Sequence, residues 1–380
     1  MRKIFASTFL IALIITFGYV YKNFHLFEAK YAEYKFNKSE NDKLTRNKAI
    51  AKNMSKGVYQ FENDVLNYKE FSLKKLGIEL SKDMDEKPIG YFDIYQDKIF
   101  LVMFDGSFYL SNSLSEIKND NFMFNKIIDS KEDIKLHPND DLSYRNIKIR
   151  DILIHQDNVF IVSNNSKFDK AKDDYTASIK VLKGKISDYK RNIELTTFFS
   201  TDEKYHGSKY EIDWSHTGGR IVHYENKDYL LSVADFHLKP YEFLVNRVSS
   251  DRSIVGKTLL INEDEVKLFS KGHRNIQGLF YDKKNKLIFS SEHGPTGGDE
   301  INLIQNGKDY GWPRSSYGTL GYDFKNHPRK HKKYGFTEPL YYWWPYNCAP
   351  SEITIVSENF IKSWNESLLV SCLSGNHLNG

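Results

Sequence analysis

The sequence predicts an all-β fold, a β-propeller built from repeated hairpins, on three observations. Aromatic residues make up 15% of the 380-residue chain, with 25 Tyr and 26 Phe, and these residue types favour strands. A unit of apolar strand, polar turn and second strand recurs five times: GYFDIYQDKIFLVMF at Gly90, RDILIHQDNVFIVSN at Arg150, GRIVHYENKDYLLSV at Gly219, QGLFYDKKNKLIFSS at Gln277, and SEITIVSENF with NESLLVSCL from Ser351. These starts are roughly 60 to 75 residues apart, which leaves room for two more strands per unit, and four strands repeated radially make a propeller.

The N-terminus is of another kind. Arg2 and Lys3 precede an uncharged, mostly apolar stretch from Ile4 to Tyr21, about 27 Å long as a helix and nearly enough to span a bilayer core. The following FGYVYKNF carries no A-x-A-like cleavage site, so residues 1–22 are expected to be an uncleaved transmembrane anchor with the rest exported to the periplasm or cell surface. Cleavage would instead release a secreted protein. Residues 23–87 are rich in Lys, Asn, Glu and Tyr with almost no Gly or Pro and read as a stalk with helical pieces, for example Asp42 to Met54. Residues 88–380 are then the propeller domain. The chain stops just after a strand and a Gly-Asn-His turn, so the last blade is expected to be incomplete.

Net charge is +4, with both signs interspersed, so there is no basic stripe for nucleic acid. The run from His327 to Lys333 reads as a solvated loop. Cys348 and Cys372 are the only cysteines, without zinc spacing; they either pair, as an exported protein allows, or remain two buried thiols.

No P-loop, GxGxxG, HExxH or GxSxG occurs. Polar and turn chemistry concentrates instead in SHTGGRIVHYENKDYLLSVAD, in GHRNIQGL from Gly272, and in SEHGPTGGDEINLIQNGKDYGWP from Ser291. In the first segment, His216 is a group whose ordinary pKa suits it to accept a hydroxyl proton, and Asp235, nineteen residues on, is a carboxylate able to fix its tautomer. In the second, the guanidinium of Arg274 can pair with an anionic group and polarise a carbonyl. In the third, a Gly-rich turn can expose carbonyl oxygens beside a carboxylate, as hard cations require.

At these three places the chain resembles the soluble PQQ-dependent glucose and aldose sugar dehydrogenases, the glucose/sorbosone dehydrogenase family of six-bladed propellers. The resemblance runs from about Gly90 to the C-terminus. It implies that His216 is the catalytic base and Asp235 its orienting partner, and that Arg274 and Asn275 hold PQQ. The carbonyls of Gly294 and Pro295, with Glu300 and Tyr310, would bind Ca2+. A weaker likeness covers TEPLYYWWPYNCAPSEITIV and WNESLLVSCL, where Tyr341 to Trp344 are either buried strand or the wall of a sugar cleft.

The pattern is also departed from. The family's Gln-Gly-Gly-Leu-Leu element is replaced near Asn146 by NIKIRDI, Ser374 stands where the glucose dehydrogenases have a cofactor-pairing Lys, and the final-blade arginines would fall beyond Gly380. The expected activity is oxidation of an aldose sugar, or a similar alcohol, to a lactone. His216 would take the hydroxyl proton while hydride passes to PQQ, and electrons would leave to a periplasmic carrier or membrane quinone. The alternative is a non-catalytic propeller that binds carbohydrate or a protein partner.

Overall fold

A computed structural model describes residues 65–67, 72–74, 90–103, 107–119, 123–128, 148–169, 174–187, 193–206, 216–239, 241–295, 297–320, 325–326, 331–344, 347–357, 364–373 and 377–379. The expected anchor over 1–22, the expected helix at Asp42 to Met54, and both Asn146 and Ser374 lie outside these residues. Within 23–87 the described residues form a two-stranded ribbon, Val65–Asn67 with Ser72–Lys74. No helix among the described residues is long and apolar enough to cross a membrane. The chain divides into two compact units, and residues 78–320 and 326–380, with 67–72, form the larger.

Every hairpin expected from sequence is present in that larger unit. Sheet I is the antiparallel meander β1 (Gly90–Tyr95), β2 (Lys98–Met103), β3 (Phe108–Ser111) and β4 (Phe124–Ile128). Sheet II repeats it with β5 (Lys148–His155), β6 (Asn158–Asp169), β7 (Asp174–Lys185) and β8 (Thr196–His206). The first hairpins of both sheets turn through two residues, and the leading one, Gln96 or Gln156, takes the left-handed φ that lets the twisted strands meet.

Sheet III comprises β9 (Gly218–His223), β10 (Tyr229–Val233), β11 (Lys257–Ile261) and β12 (Val266–Lys271), and β16 (Lys308–Asp309) adds in parallel to β12. Sheet IV comprises β13 (Ile276–Asp282), β14 (Leu287–Glu292), β15 (Glu300–Ile304) and β17 (Tyr341–Tyr342). Sheet V has three strands, β18 (Pro350–Ile355), β19 (Leu368–Cys372) and β20 (His377–Asn379).

The arrangement is propeller-like because the first strand of each sheet packs against the first strand of the next, β1 on β5, β5 on β9, β9 on β13 and β13 on β18. Four apolar clusters fill the four gaps between successive sheets. Phe100, Phe108 and Ile152 lie between I and II, Phe160, Val181 and Leu259 between II and III, Leu230, Ile276 and Ile304 between III and IV, and Phe289, Ile353 and Val370 between IV and V. Near the centre, Arg220 on β9 reaches Asp151 on β5 and Glu352 on β18, both at 3.2 Å. It also donates to the Ser351 carbonyl at 2.7 Å and lies over the Tyr91 ring of β1. One guanidinium thus ties the first strand of sheet III to the first strands of the three sheets I, II and V. Burial, with the charge of Glu352 adding to it against the opposing pull of Arg220, pushes the Asp151 carboxyl up to about 7.

One element was not foreseen. The helix α1 (Tyr241–Ser249) separates β10 from β11 and buries Leu244 and Val248. Its C-terminal carbonyls are capped by the fully buried Lys257 ammonium, which bonds Val248 O at 2.6 Å and Val255 O at 2.7 Å. The cysteine alternatives resolve in favour of a disulfide: Cys348 and Cys372 are bonded, buried, and placed between sheets IV and V.

Candidate active site

The three sequence segments meet at one end of the blades. His216 lies two residues before β9, Arg274 and Asn275 immediately before β13, and Gly294 two residues after β14, whose Glu292 pairs with Ile276; Ala349, from a later stretch, lies immediately before β18. Antiparallel pairing explains the nineteen-residue spacing of His216 and Asp235. Gly218 pairs with Val233, the Ala234 amide donates to the Thr217 carbonyl and the Phe236 amide to the His216 carbonyl, so His216 and Asp235 flank the mouth of one hairpin.

His216 Nδ1 lies 3.5 Å from Asp235 Oδ1, long for an N–H···O bond but within the range seen before a substrate tightens a catalytic pair. Asp235 is fully buried. Its Oδ1 accepts from the His237 amide at 2.8 Å and its Oδ2 from the Trp312 indole at 2.9 Å, which satisfies a carboxylate that would otherwise be costly to bury. His216 stacks on the His237 ring and keeps 16% of its side chain exposed, so a substrate can reach it.

Arg274 is held from three sides. Its amide donates to Glu292 Oε1, its Nη1 donates to the His293 carbonyl at 2.9 Å, and its guanidinium lies 5.4 Å from the Trp312 ring centroid. Asn275 is used structurally: its Oδ1 accepts from the Gly218 amide at 3.3 Å and from Gln277 at 2.8 Å, locking β9 to β13. Gly272 permits the turn before Arg274, with φ at 80° and the Asp309 carboxylate and Gly311 amide where a Cβ would go.

Gly294, Pro295, Glu300 and Tyr310 line one small cleft together with Glu292 and His331. The Tyr310 hydroxyl is already committed to the Leu303 carbonyl and the Gln305 amide, so a metal would have to take its main-chain carbonyl, which also lies against the His331 imidazole. Glu300 and Glu292 are both buried, and Asn302 Nδ2 bridges them at 3.3 and 3.5 Å. Burial, reinforced by the charge of Glu292, pushes the Glu300 carboxyl well above the usual carboxylate range. Asn302 Oδ1 is buried without a hydrogen-bond partner among the described residues. His331 Nε2 faces Glu300 Oε1 at 3.6 Å, and the carboxylate and carbonyl oxygens gathered on this cleft are the donor type a hard cation such as Ca2+ takes. Arg274, a fixed planar cation on the same cleft, fits a planar anionic cofactor such as PQQ.

Four contributors escaped the sequence reading. His293, one residue before Gly294, donates its Nε2–H to the Pro350 carbonyl at 2.8 Å, and burial together with the charges of Arg274 and His216 pushes its imidazole down to about 4. Asp299 fastens the Gly294 amide at 2.8 Å and the Ala349 amide at 2.7 Å. Glu292 bonds His273 Nδ1 at 3.2 Å. Trp312 joins Asp235 to Arg274. Only the density of the EHGPTGGDE and YGWP segments hinted at them.

Comparison with known proteins identifies the family. The family model described as Glucose / Sorbosone dehydrogenase matches residues 149–380. The aldose sugar dehydrogenase YliI of Escherichia coli K12 is 28% identical over 169 residues, covering 42% of this chain and 45% of that protein. Quinoprotein glucose dehydrogenase B of Acinetobacter calcoaceticus is 41% identical over 83 residues, 22% of this chain and 17% of that one. A protein of Synechocystis, slr1608, is 31% identical over 177 residues, covering 42% and 43%. The chain thus spans less than half the length of these relatives. In fold, it is similar to a crystal structure of glucose dehydrogenase (TM-score 0.57, 18% identity, 76% of this chain and 81% of that one) and to the apo-form aldose sugar dehydrogenase of Escherichia coli (TM-score 0.55, 19% identity, 77% and 84%). With a family model covering more than half of its residues, the chain belongs to the glucose/sorbosone dehydrogenase family.

Proposed function

We propose that this protein oxidises an aldose sugar, or a similar alcohol, to a lactone with PQQ and Ca2+ as its cofactors, on a six-bladed propeller. The observation that carries the reading is the His216–Asp235 pair, partly exposed on one side and buried on the other, opening beside Arg274. PQQ, when bound, supplies the acceptor for the two electrons that leave the sugar carbon.

The chain's own residues prepare the proton transfer. Asp235, held by two N–H donors, presents Oδ1 to His216 Nδ1, which leaves Nε2 as the free base for the substrate hydroxyl. Arg274, kept in place by the His293 carbonyl and the Trp312 ring, stabilises negative charge in the cleft. The Gly294 and Pro295 carbonyls, Glu300 and the Tyr310 carbonyl are the groups that would hold Ca2+, while Asp299 fixes the turn carrying the first two.

An exported location suits the chemistry, since a disulfide persists in oxidising compartments and the Cys348–Cys372 bond is formed. Residues 1–22 would then anchor the domain, and a periplasmic carrier or membrane quinone would take the electrons. To test the function, the purified protein is supplied with PQQ and Ca2+ and sugar-dependent dye reduction is measured. Activity is expected in the wild type and a loss of at least about 100-fold in His216→Ala, the usual scale for a removed general base. Undiminished activity in that variant sinks the assignment of the base, and a protein that takes up no PQQ but binds glycan is a non-catalytic propeller.

A further inference from the structure

Trp312 stands between the two halves of the site. Its indole Nε1–H donates to Asp235 Oδ2 at 2.9 Å in a fully buried contact, and its ring carries the Arg274 guanidinium at 5.4 Å. It is only 7% exposed and packs within the cluster between sheets II and III, with Val233 and Phe236. Its position is set by the chain around it. The Tyr310 amide donates to the Lys271 carbonyl at 2.8 Å and the Trp312 amide to the Gly272 carbonyl at 3.0 Å, so residues 310–312 run zipped along the strand end that leads into Arg274. From the other side, the Asp235 amide donates to the Arg274 carbonyl at 2.8 Å.

The carboxylate of Asp235 has two oxygens with separate duties. Oδ1 faces His216 Nδ1 and the His237 amide; Oδ2 has the indole. A carboxylate with a donor on Oδ2 is fixed in its plane, and a fixed Oδ1 selects the Nδ1–H tautomer of His216. The same indole, through its face, fixes the Arg274 guanidinium.

We infer that Trp312 is a positioning residue that sets the tautomer of His216 through Asp235 and, with its other face, seats Arg274. The inference rests on the proposed oxidation, but its test does not require the cofactor. In the cofactor-free protein with 15N-labelled histidine, the His216 ring shifts report its tautomer, with His216→Gln assigning the signal. Above the titration range, the wild type is expected to hold His216 predominantly as Nδ1–H. Trp312→Phe, which keeps an aromatic face and loses the N–H, is expected to give a mixture in which Nε2–H rises severalfold. Unchanged His216 shifts in Trp312→Phe overturn the inference, as does a wild type that is already mixed.

Should Trp312→Phe fail to fold, benzothienylalanine at position 312 keeps the bicyclic shape with sulfur in place of N–H, and the same two outcomes decide. A second arm reads the other face by absorbance titration with PQQ and Ca2+. Trp312→Phe is expected to bind within about threefold of wild type and Trp312→Leu at least tenfold more weakly, and equal binding by both removes the Arg274 half of the inference. If the wild type binds no PQQ, the proposed oxidation fails while the tautomer measurement still decides the role of Trp312.

Discussion

Reducing the Cys348–Cys372 bond, or replacing both residues by Ala, removes a crosslink that closes a loop of 24 residues in sequence separation. In the chain-entropy description a loop of that size stabilises the folded state by about 3.5 kcal/mol through its effect on the unfolded ensemble. The two side chains are 2% and 5% exposed in the apolar cluster between sheets IV and V, so the Ala variant also loses some packing there. For a domain of this size the loss corresponds to a fall in Tm on the order of 10 °C. Consequences reach the site, because the residues after Cys348 give Asp299 its Ala349 amide and His293 its Pro350 carbonyl. The assay is guanidinium unfolding of the oxidised protein, the reduced protein and the double variant, with thiol titration under denaturing, non-reducing conditions. Two titratable thiols in the untreated protein would show that the bond is not formed, and the same midpoint with and without reductant would show that it does not stabilise the fold.

Three further outcomes are expected. His293, with its pKa depressed to about 4 in the folded state, takes up its proton in the unfolded chain first. Stability is therefore present above the ordinary histidine range and lost as pH falls from about 6.5 to about 4, by at most about 3 kcal/mol, and His293→Gln should flatten that part of a stability–pH curve from urea melts; an unaltered slope contradicts it. Arg220→Met leaves the partly buried carboxylate of Asp151 without its cationic partner, though still bonded by the Ile221 amide, which should cost about 3 kcal/mol in chemical denaturation, whereas a loss below about 1 kcal/mol would show the central cluster to be dispensable. Ca2+ at about 100 times its Kd should stabilise the wild type by about 2.7 kcal/mol and Glu300→Gln by much less, read as a thermal shift; equal shifts in the two proteins exclude Glu300 as a ligand.

The strands were legible because their information is local. Alternation in GYFDIYQDKIFLVMF and its four counterparts sets both strand and turn, and the spacing of His216 and Asp235 is a property of one hairpin, Gly218 against Val233. What escaped depends on residues distant in sequence. Trp312 finds Asp235 77 positions away, and Arg220 finds Ser351 across 131, partnerships that no window of sequence contains. The helix α1 was missed because nine residues between two strands give a weak periodic signal. Asn275 shows the opposite limit: its place beside Arg274 was readable, but only the fold reveals that its carbonyl serves Gly218 and Gln277.

The proposed function assigns His216, Asp235 and Arg274 to the oxidation of a sugar by a bound quinone. Its most direct test is a single turnover: the purified protein loaded with one equivalent of PQQ and Ca2+, with no external electron acceptor, is mixed with an aldose and the absorbance of the oxidised cofactor is followed. One equivalent of sugar should discharge one equivalent of oxidised PQQ in the wild type, and His216→Ala should do so at least about 100-fold more slowly. A loaded protein whose cofactor spectrum stays unchanged across a panel of aldoses and simple alcohols would contradict it.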